Sequence, residues 1–427
     1  MHRTSRAAAA ALALLIFTFP TPTLAQGGAA HLTVYDAGIA EFLEERTIEL
    51  QPGINAVEWR SLMPKAFIRT VRVTAEDAVV VRQDVTYDGA EVRNERAPVL
   101  HIVVRNTGAA GPRKIQVDYL APGLDWHDDY TLLLDATPDA APPTGATLDS
   151  WVSVQNQTGA DLRAGTVDLV AGEISLLLGG QQYRSYDELA RANTAQMADG
   201  ISESTEIVTS AESSGLSAFS RFRLGRNLSM NSNAPINRFP LFQRARLKIT
   251  QRLVFENEYG TQTLARGGFV LLPRGLEVRL ISQNPTDASM PAGQVTIYAR
   301  DGAISQVVGQ DTIPLTPPGG EFTVTQGRSA TVFGTRRVLE RRSTSYKDER
   351  DYTRDKLTTR VEVVITNRGS RAVEAFVREG IEPANENRWT ILESTVPTEK
   401  LSANTFQMKV QVPAGGKTTV SYTVETR

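Results

Sequence analysis

The 427-residue chain contains no cysteine, which excludes a disulfide framework, thiolate zinc or iron–sulfur centres and a cysteine nucleophile. Histidine is nearly as scarce: the sequence has 4, one of them at position 2, so imidazole-based metal or acid–base chemistry has few candidates. Long apolar runs are missing too. The most apolar stretch, 7–19, is shorter than the roughly 20 residues that cross a bilayer as a helix. An excess of positive charge is also absent. Lys+Arg total 46 against Asp+Glu 48, which argues against nucleic-acid binding through a global basic field. What remains is 41% apolar and 22% charged, a balance that buries ordinary cores in roughly two to four domains.

The first 25 residues have the order of an export signal. His2, Arg3 and Arg6 precede the apolar run, and Pro20, Thr21, Pro22, Thr23, Leu24 and Ala25 end it in a small-x-small pattern, so cleavage is expected after Ala25. No cysteine stands there to carry a lipid. Loss of Arg3 and Arg6 leaves the mature chain weakly acidic and without a transmembrane segment, and its expected location is the periplasm or the exterior.

From His31 onward, short β-branched and aromatic runs alternate with turn residues, the pattern of antiparallel sandwiches or barrels. Runs at 32–35 and 40–50 meet turns at Asp36-Ala37-Gly38 and Pro52-Gly53, and 54–59 is expected to return as part of a meander. Runs 100–104 and 114–119 flank Asn106-Thr107-Gly108 and read as a hairpin, as do 407–412 and 418–424 around Pro413-Ala414-Gly415-Gly416. Residues 185–217 break the pattern with Asp187, Glu188, Leu189 and Ala190 amid Ser, Thr and Glu, which reads as a surface insertion holding a short helix. The expected fold is all-β, a series of antiparallel sandwiches. Expected units are 27–96, 97–290 with its insertion, and 291–427, the last ending in an immunoglobulin-like sandwich.

Several ordered motifs carry a resemblance. They are Tyr119-Leu120-Ala121-Pro122-Gly123-Leu124-Asp125-Trp126 followed by Tyr130, then Trp151-Val152-Ser153-Val154-Gln155-Asn156, then Leu169-Val170-Ala171-Gly172-Glu173. Phe239-Pro240-Leu241-Phe242, Leu272-Pro273-Arg274-Gly275 and Trp389-Thr390-Ile391-Leu392-Glu393-Ser394 continue the order. Over roughly 110–427 the chain resembles the bacterial family called domain of unknown function 4139, some members of which are labelled mucoidy inhibitor A. The resemblance implies an exported multi-sandwich protein and brings no catalytic residue with it. A long coiled coil common in relatives is missing, and His127 stands where a basic residue often follows the motif tryptophan.

Two clusters carry chemistry. Asp125, His127 and Asp129 share one side of an extended segment, with Trp126 and Tyr130 on the other, and could present a divalent-metal site. The second is a basic stretch: Arg221, Arg223, Arg226, Arg238, Arg244, Arg246, Lys248 and Arg252, interleaved with Phe219, Phe222, Phe239 and Phe242. Guanidiniums and rings suit anionic polymers or sugars, although alternating cations also serve as the solvent face of an edge strand. His31 and His101 show no acid nearby in the sequence, and no Gly-x-Ser-x-Gly or P-loop pattern occurs. The leading expectation is a noncatalytic envelope protein that binds a protein or anionic polysaccharide, without cofactor or nucleic acid. Its binding residues would be Arg221, Arg223, Arg244, Arg246, Lys248, Phe219 and Phe242. The alternative is a metal-assisted hydrolase of envelope polymers built on Asp125, His127 and Asp129.

Overall fold

Among the described residues, alternating apolar and polar residues, cut by Gly, Pro and Asn, fold into 25 strands, β1 to β25 in chain order, with one 3-10 turn at Ile68–Thr70. No α-helix occurs among the described residues. The computed structural model describes residues 28–92, 95–136, 141–171, 176–178, 181–183, 220–234, 236–257, 273–301, 304–347, 350–381 and 389–426. The leader at 1–25, the insertion at 185–217 and Phe219 lie outside them.

An N-terminal sheet has the order β13 (Ser220–Met230), β10 (Leu162–Ala171), β1 (Gly28–Tyr35), β2 (Ile39–Leu50), β7 (Gly111–Pro122), β4 (Arg72–Ala75). A three-stranded sheet joins β3 (Gly53–Trp59), β6 (Glu95–Asn106) and β5 (Ala78–Val92). A bridging sheet has the order β14 (Asn237–Lys248), β9 (Gly145–Asn156), β8 (Leu124–Leu134), β17 (Gly293–Asp301), β18 (Ile304–Ile313). The largest, C-terminal sheet runs β22 (Trp389–Ser394), β25 (Lys417–Thr426), β20 (Thr353–Asn367), β19 (Glu321–Lys347), β16 (Arg274–Gln283), β15 (Thr250–Asn257), β21 (Val373–Gly380), β24 (Thr405–Val412), β23 (Thr398–Lys400). A ribbon of β11 (Leu176–Leu178) and β12 (Gln181–Tyr183) stands apart.

Most ladders are antiparallel, but β1–β10, β8–β17 and β15–β21 are parallel. Pairings also run across the sequence boundaries at 96 and 290: β2 pairs with β7, and β8 with β17.

The bridging sheet earns its name from its inner face. Leu124, Trp126, Val152 and Val154 pack with Leu32, Val34, Val167, Leu169 and Phe222 of the N-terminal sheet. Further along the same strands, Tyr130, Leu132, Leu134, Ala146 and Leu148 pack with Leu280, Phe322 and Val324 of the C-terminal sheet. The C-terminal sheet closes on itself, since Val361, Val363 and Val420 share a core with Phe255, Val377 and Met408.

One device recurs at four strand ends. Asn106, Asn156, Asn284 and Asn367 are each less than 5% exposed. Each side-chain oxygen accepts the backbone N–H two residues on, and each amide donates to a carbonyl of its own turn and to one on a neighbouring segment. Asn156 Nδ2, for instance, lies 2.9 Å from both Ala160 O and Met230 O.

The turn at Asn106, like those at Pro52-Gly53 and Pro413-Ala414-Gly415-Gly416, changes partners rather than reversing a ladder, which corrects three expectations. β6 and β7 do not form a hairpin: β6 pairs with β3 and β5, and β7 with β2 and β4. β3 does not return along β2 but pairs with β6. β24 and β25 pair with β21 and β20 respectively, on opposite sides of the closed core. In each case both arms alternate and bury an apolar face, and two facing layers satisfy that alternation as well as one hairpin does.

Candidate functional site

The outward residues of β8, β9 and β14 form the most chemically varied surface of the bridging sheet. On β8, Trp126 and Tyr130 are buried while Asp125, His127 and Asp129 face the other way, as the alternation predicts. Register places His127 beside Ser153, and Asp129 beside Trp151, on β9. Arg238 and Pro240 of β14 stand opposite Ser153 and Trp151. The acidic cluster and part of the basic stretch, over 100 residues apart in sequence, thus come to one face.

Asp129 is the hub. It accepts from Ser153 Oγ at 2.5 Å and lies 3.6 Å from Arg238 Nη2 and 3.7 Å from His127 Nε2. The Arg238 guanidinium stands over the half-buried Trp151 ring, 5.6 Å from its centroid. Asp125 instead accepts its neighbour Trp126 N–H at 2.9 Å, and burial raises its pKa. Asp125, His127 and Asp129 therefore share a side but do not close on a point. Among the described residues no three His, Asp or Glu are grouped to hold a metal ion.

Along β14 the expected alternation is present: Arg244, Arg246 and Lys248 are exposed, while Leu247 and Ile249 are buried. A bulge between Phe242 and Ala245 puts Arg244 at φ 57°, with its N–H donating to Asp149 Oδ1 at 2.6 Å. Arg246 grips Asp135 with both terminal nitrogens, at 2.9 and 2.7 Å, and reaches Thr147 Oγ1 at 3.2 Å. Those hydrogen bonds hold the Asp135 carboxyl below its ordinary range. No carboxylate pairs with the Arg244 or Lys248 side chain among the described residues. Phe242 turns inward, its ring 6.3 Å from Tyr130, and packs into the core between the bridging and C-terminal sheets.

Arg221 and Arg223 lie elsewhere, on β13 at the edge of the N-terminal sheet. Both close on Asp168, which is fully buried: Arg223 Nε is 2.6 Å and Arg221 Nε 3.7 Å from it. His31 Nε2 approaches the same carboxylate at 3.4 Å, and His101 Nδ1 lies 3.8 Å from Glu58. Neither acid is near its histidine in the sequence; both arrive from other strands. Trp151 and Ser153 were absent from the sequence-derived site, although a Trp-x-Ser step in an alternating strand puts both on one face.

Behind this surface, on the inner face of β8, Asp128 is fully buried, accepts from Ser150 Oγ at 2.9 and 2.8 Å, and is pushed up to about 6 by burial. Compared with known protein families and with curated proteins, the chain matches none.

Proposed function

We propose that the chain is an exported, noncatalytic protein of the bacterial envelope that holds a protein or anionic polysaccharide on its β surfaces, in keeping with its resemblance to the domain of unknown function 4139 family. The outer face of the bridging sheet is the observation that carries this reading. Trp151 offers a ring, Arg238 a guanidinium above it, and Arg244 and Lys248 add cations without carboxylate partners among the described residues. Asp129, Ser153 and Asp149 supply hydrogen-bonding oxygens between them. Rings and hydrogen-bonding groups suit a sugar chain, and the free cations favour an acidic one. The hydrolase alternative needs Asp129 for a metal, and that carboxylate is engaged by Ser153 and Arg238.

The test is affinity electrophoresis through gels carrying acidic or neutral polysaccharide, beside a pull-down from envelope extract. Retention by the acidic polymer, weakened by salt and lost when Arg244, Arg246 and Lys248 become Glu, is the expected result. Equal retention of both proteins would sink it.

A further inference from the structure

The outer face of the C-terminal sheet carries a separate concentration of arginines. Leu253, Phe255, Leu276 and Val377 point into the sheet's own core, so alternation sends Arg252, Glu256, Glu277, Arg279, Phe376 and Arg378 outward. Register brings them together. Arg252 on β15 pairs with Arg279 on β16, Glu256 on β15 with Arg378 on β21, and Glu277 on β16 with Arg328 on β19.

Four guanidiniums thus meet two carboxylates, and the pairing is uneven. Arg279 Nη2 bonds Glu277 at 2.7 Å and also contacts Glu256. Arg328 Nη2 lies 3.3 Å from Glu277 Oε1. Arg252 lies over the Phe376 ring at 5.1 Å and makes no ion pair among the described residues. The Arg378 side chain makes no hydrogen bond or ion pair among them either, and its Nε is buried without a partner. Neighbouring groups do not relieve it: Gln407, its cross-strand partner, donates to Glu399 at 2.6 Å, and Glu374 is taken by Lys409 at 2.8 Å. Burial, then the charge of Arg279, disfavours the Arg378 cation, and the attraction of Glu256 and Glu277 offsets this only in part. The two nearby carboxylates, Glu256 and Glu277, are bonded to Arg279 and Arg328, so the four guanidiniums share them with Arg378 unbonded, and an oxyanion with two or more acceptor atoms fits that excess of positive charge.

We propose that Arg252, Arg279 and Arg378 form an oxyanion-binding site for a phosphate or carboxylate group, free or borne on a polymer. The site is on a different sheet from the surface described above and stands without that reading.

The test uses the full chain, melted with increasing inorganic phosphate and with sodium chloride at matched ionic strength. Wild type should show a saturable rise in Tm with phosphate that chloride does not reproduce. Arg252→Gln/Arg378→Gln should weaken the apparent affinity at least about tenfold. Without phosphate the double variant should melt no lower than wild type, because like-charge repulsion is removed. If it fails to fold, Arg252→Gln alone should give a smaller loss in the same direction. An unsaturable wild-type response, or an equal response from the variants, overturns the site. Polyphosphate binding far more tightly than phosphate assigns the group to a polymer, and equal affinity assigns it to a free ion.

Discussion

Strands β13 and β14 are both sheet edges, both carry arginines at alternate positions, and they do opposite things. On β13, Arg221 and Arg223 close around the buried Asp168 of the neighbouring strand, with His31 beside it. On β14, Arg246 has a partner in Asp135, but Arg244 and Lys248 present their charges to solvent without carboxylate partners among the described residues. The difference is made across the ladder. A cation opposite an acid becomes part of the sheet's internal electrostatics, and one without an acid remains available to a ligand.

The joint between the two strands should give the largest effect. Asn156 ends β9, the neighbour of β14, and bonds Met230 O at the end of β13. Asn156→Ala takes the side-chain partner from Met230 O and the Thr158 N–H and leaves Ala160 O only the Thr158 hydroxyl, and should cost about 4 kcal/mol in denaturant unfolding. A loss below about 1 kcal/mol would show that water replaces the side chain.

Asp128 sharpens the comparison from the acid side, as a buried carboxyl bonded by Ser150 rather than neutralised by a cation. Its folded-state pKa of about 6 lies above the ordinary 3.8. Protonation therefore favours the folded state: the contribution is complete below about pH 4 and is lost as pH rises through about 6, amounting to about 3 kcal/mol. Asp128→Asn should flatten stability across that window and stabilise the protein at pH 7. A variant that keeps the wild-type pH profile would assign the dependence to another group.

Next in size is Arg223→Ala, which strips the closest counter-charge from buried Asp168 and should cost about 2 kcal/mol, tempered by Arg221 and by exposure of the arginine. Arg244→Ala, with no carboxylate on its side chain, should change stability by less than about 0.5 kcal/mol. Equal costs in urea titrations would erase the contrast between the strands.

The all-β class and most strands were legible in the sequence, because period-two alternation and Gly, Pro and Asn punctuation are local signals. The alternation of Arg244, Arg246 and Lys248 with Ala245, Leu247 and Ile249 shows in the structure residue for residue. Which strand each arm pairs with was not legible. Asn106-Thr107-Gly108 reads as a turn in both views, yet its asparagine passes the chain from one sheet to another. The candidate site shows the same limit. Asp125, His127, Asp129 and the basic stretch were each visible, but their convergence depends on β9 lying between β8 and β14. Likewise Asp168 is 55 residues from Arg223, so nothing local marks the second as neutralised by the first.

The most direct test compares two pairs of substitutions on one acidic polysaccharide, scoring retention and melting together. Arg244→Gln/Lys248→Gln should lose retention and keep its Tm, while Arg221→Gln/Arg223→Gln should lower Tm and keep retention. Retention lost with the β13 pair and kept with the β14 pair would contradict the account.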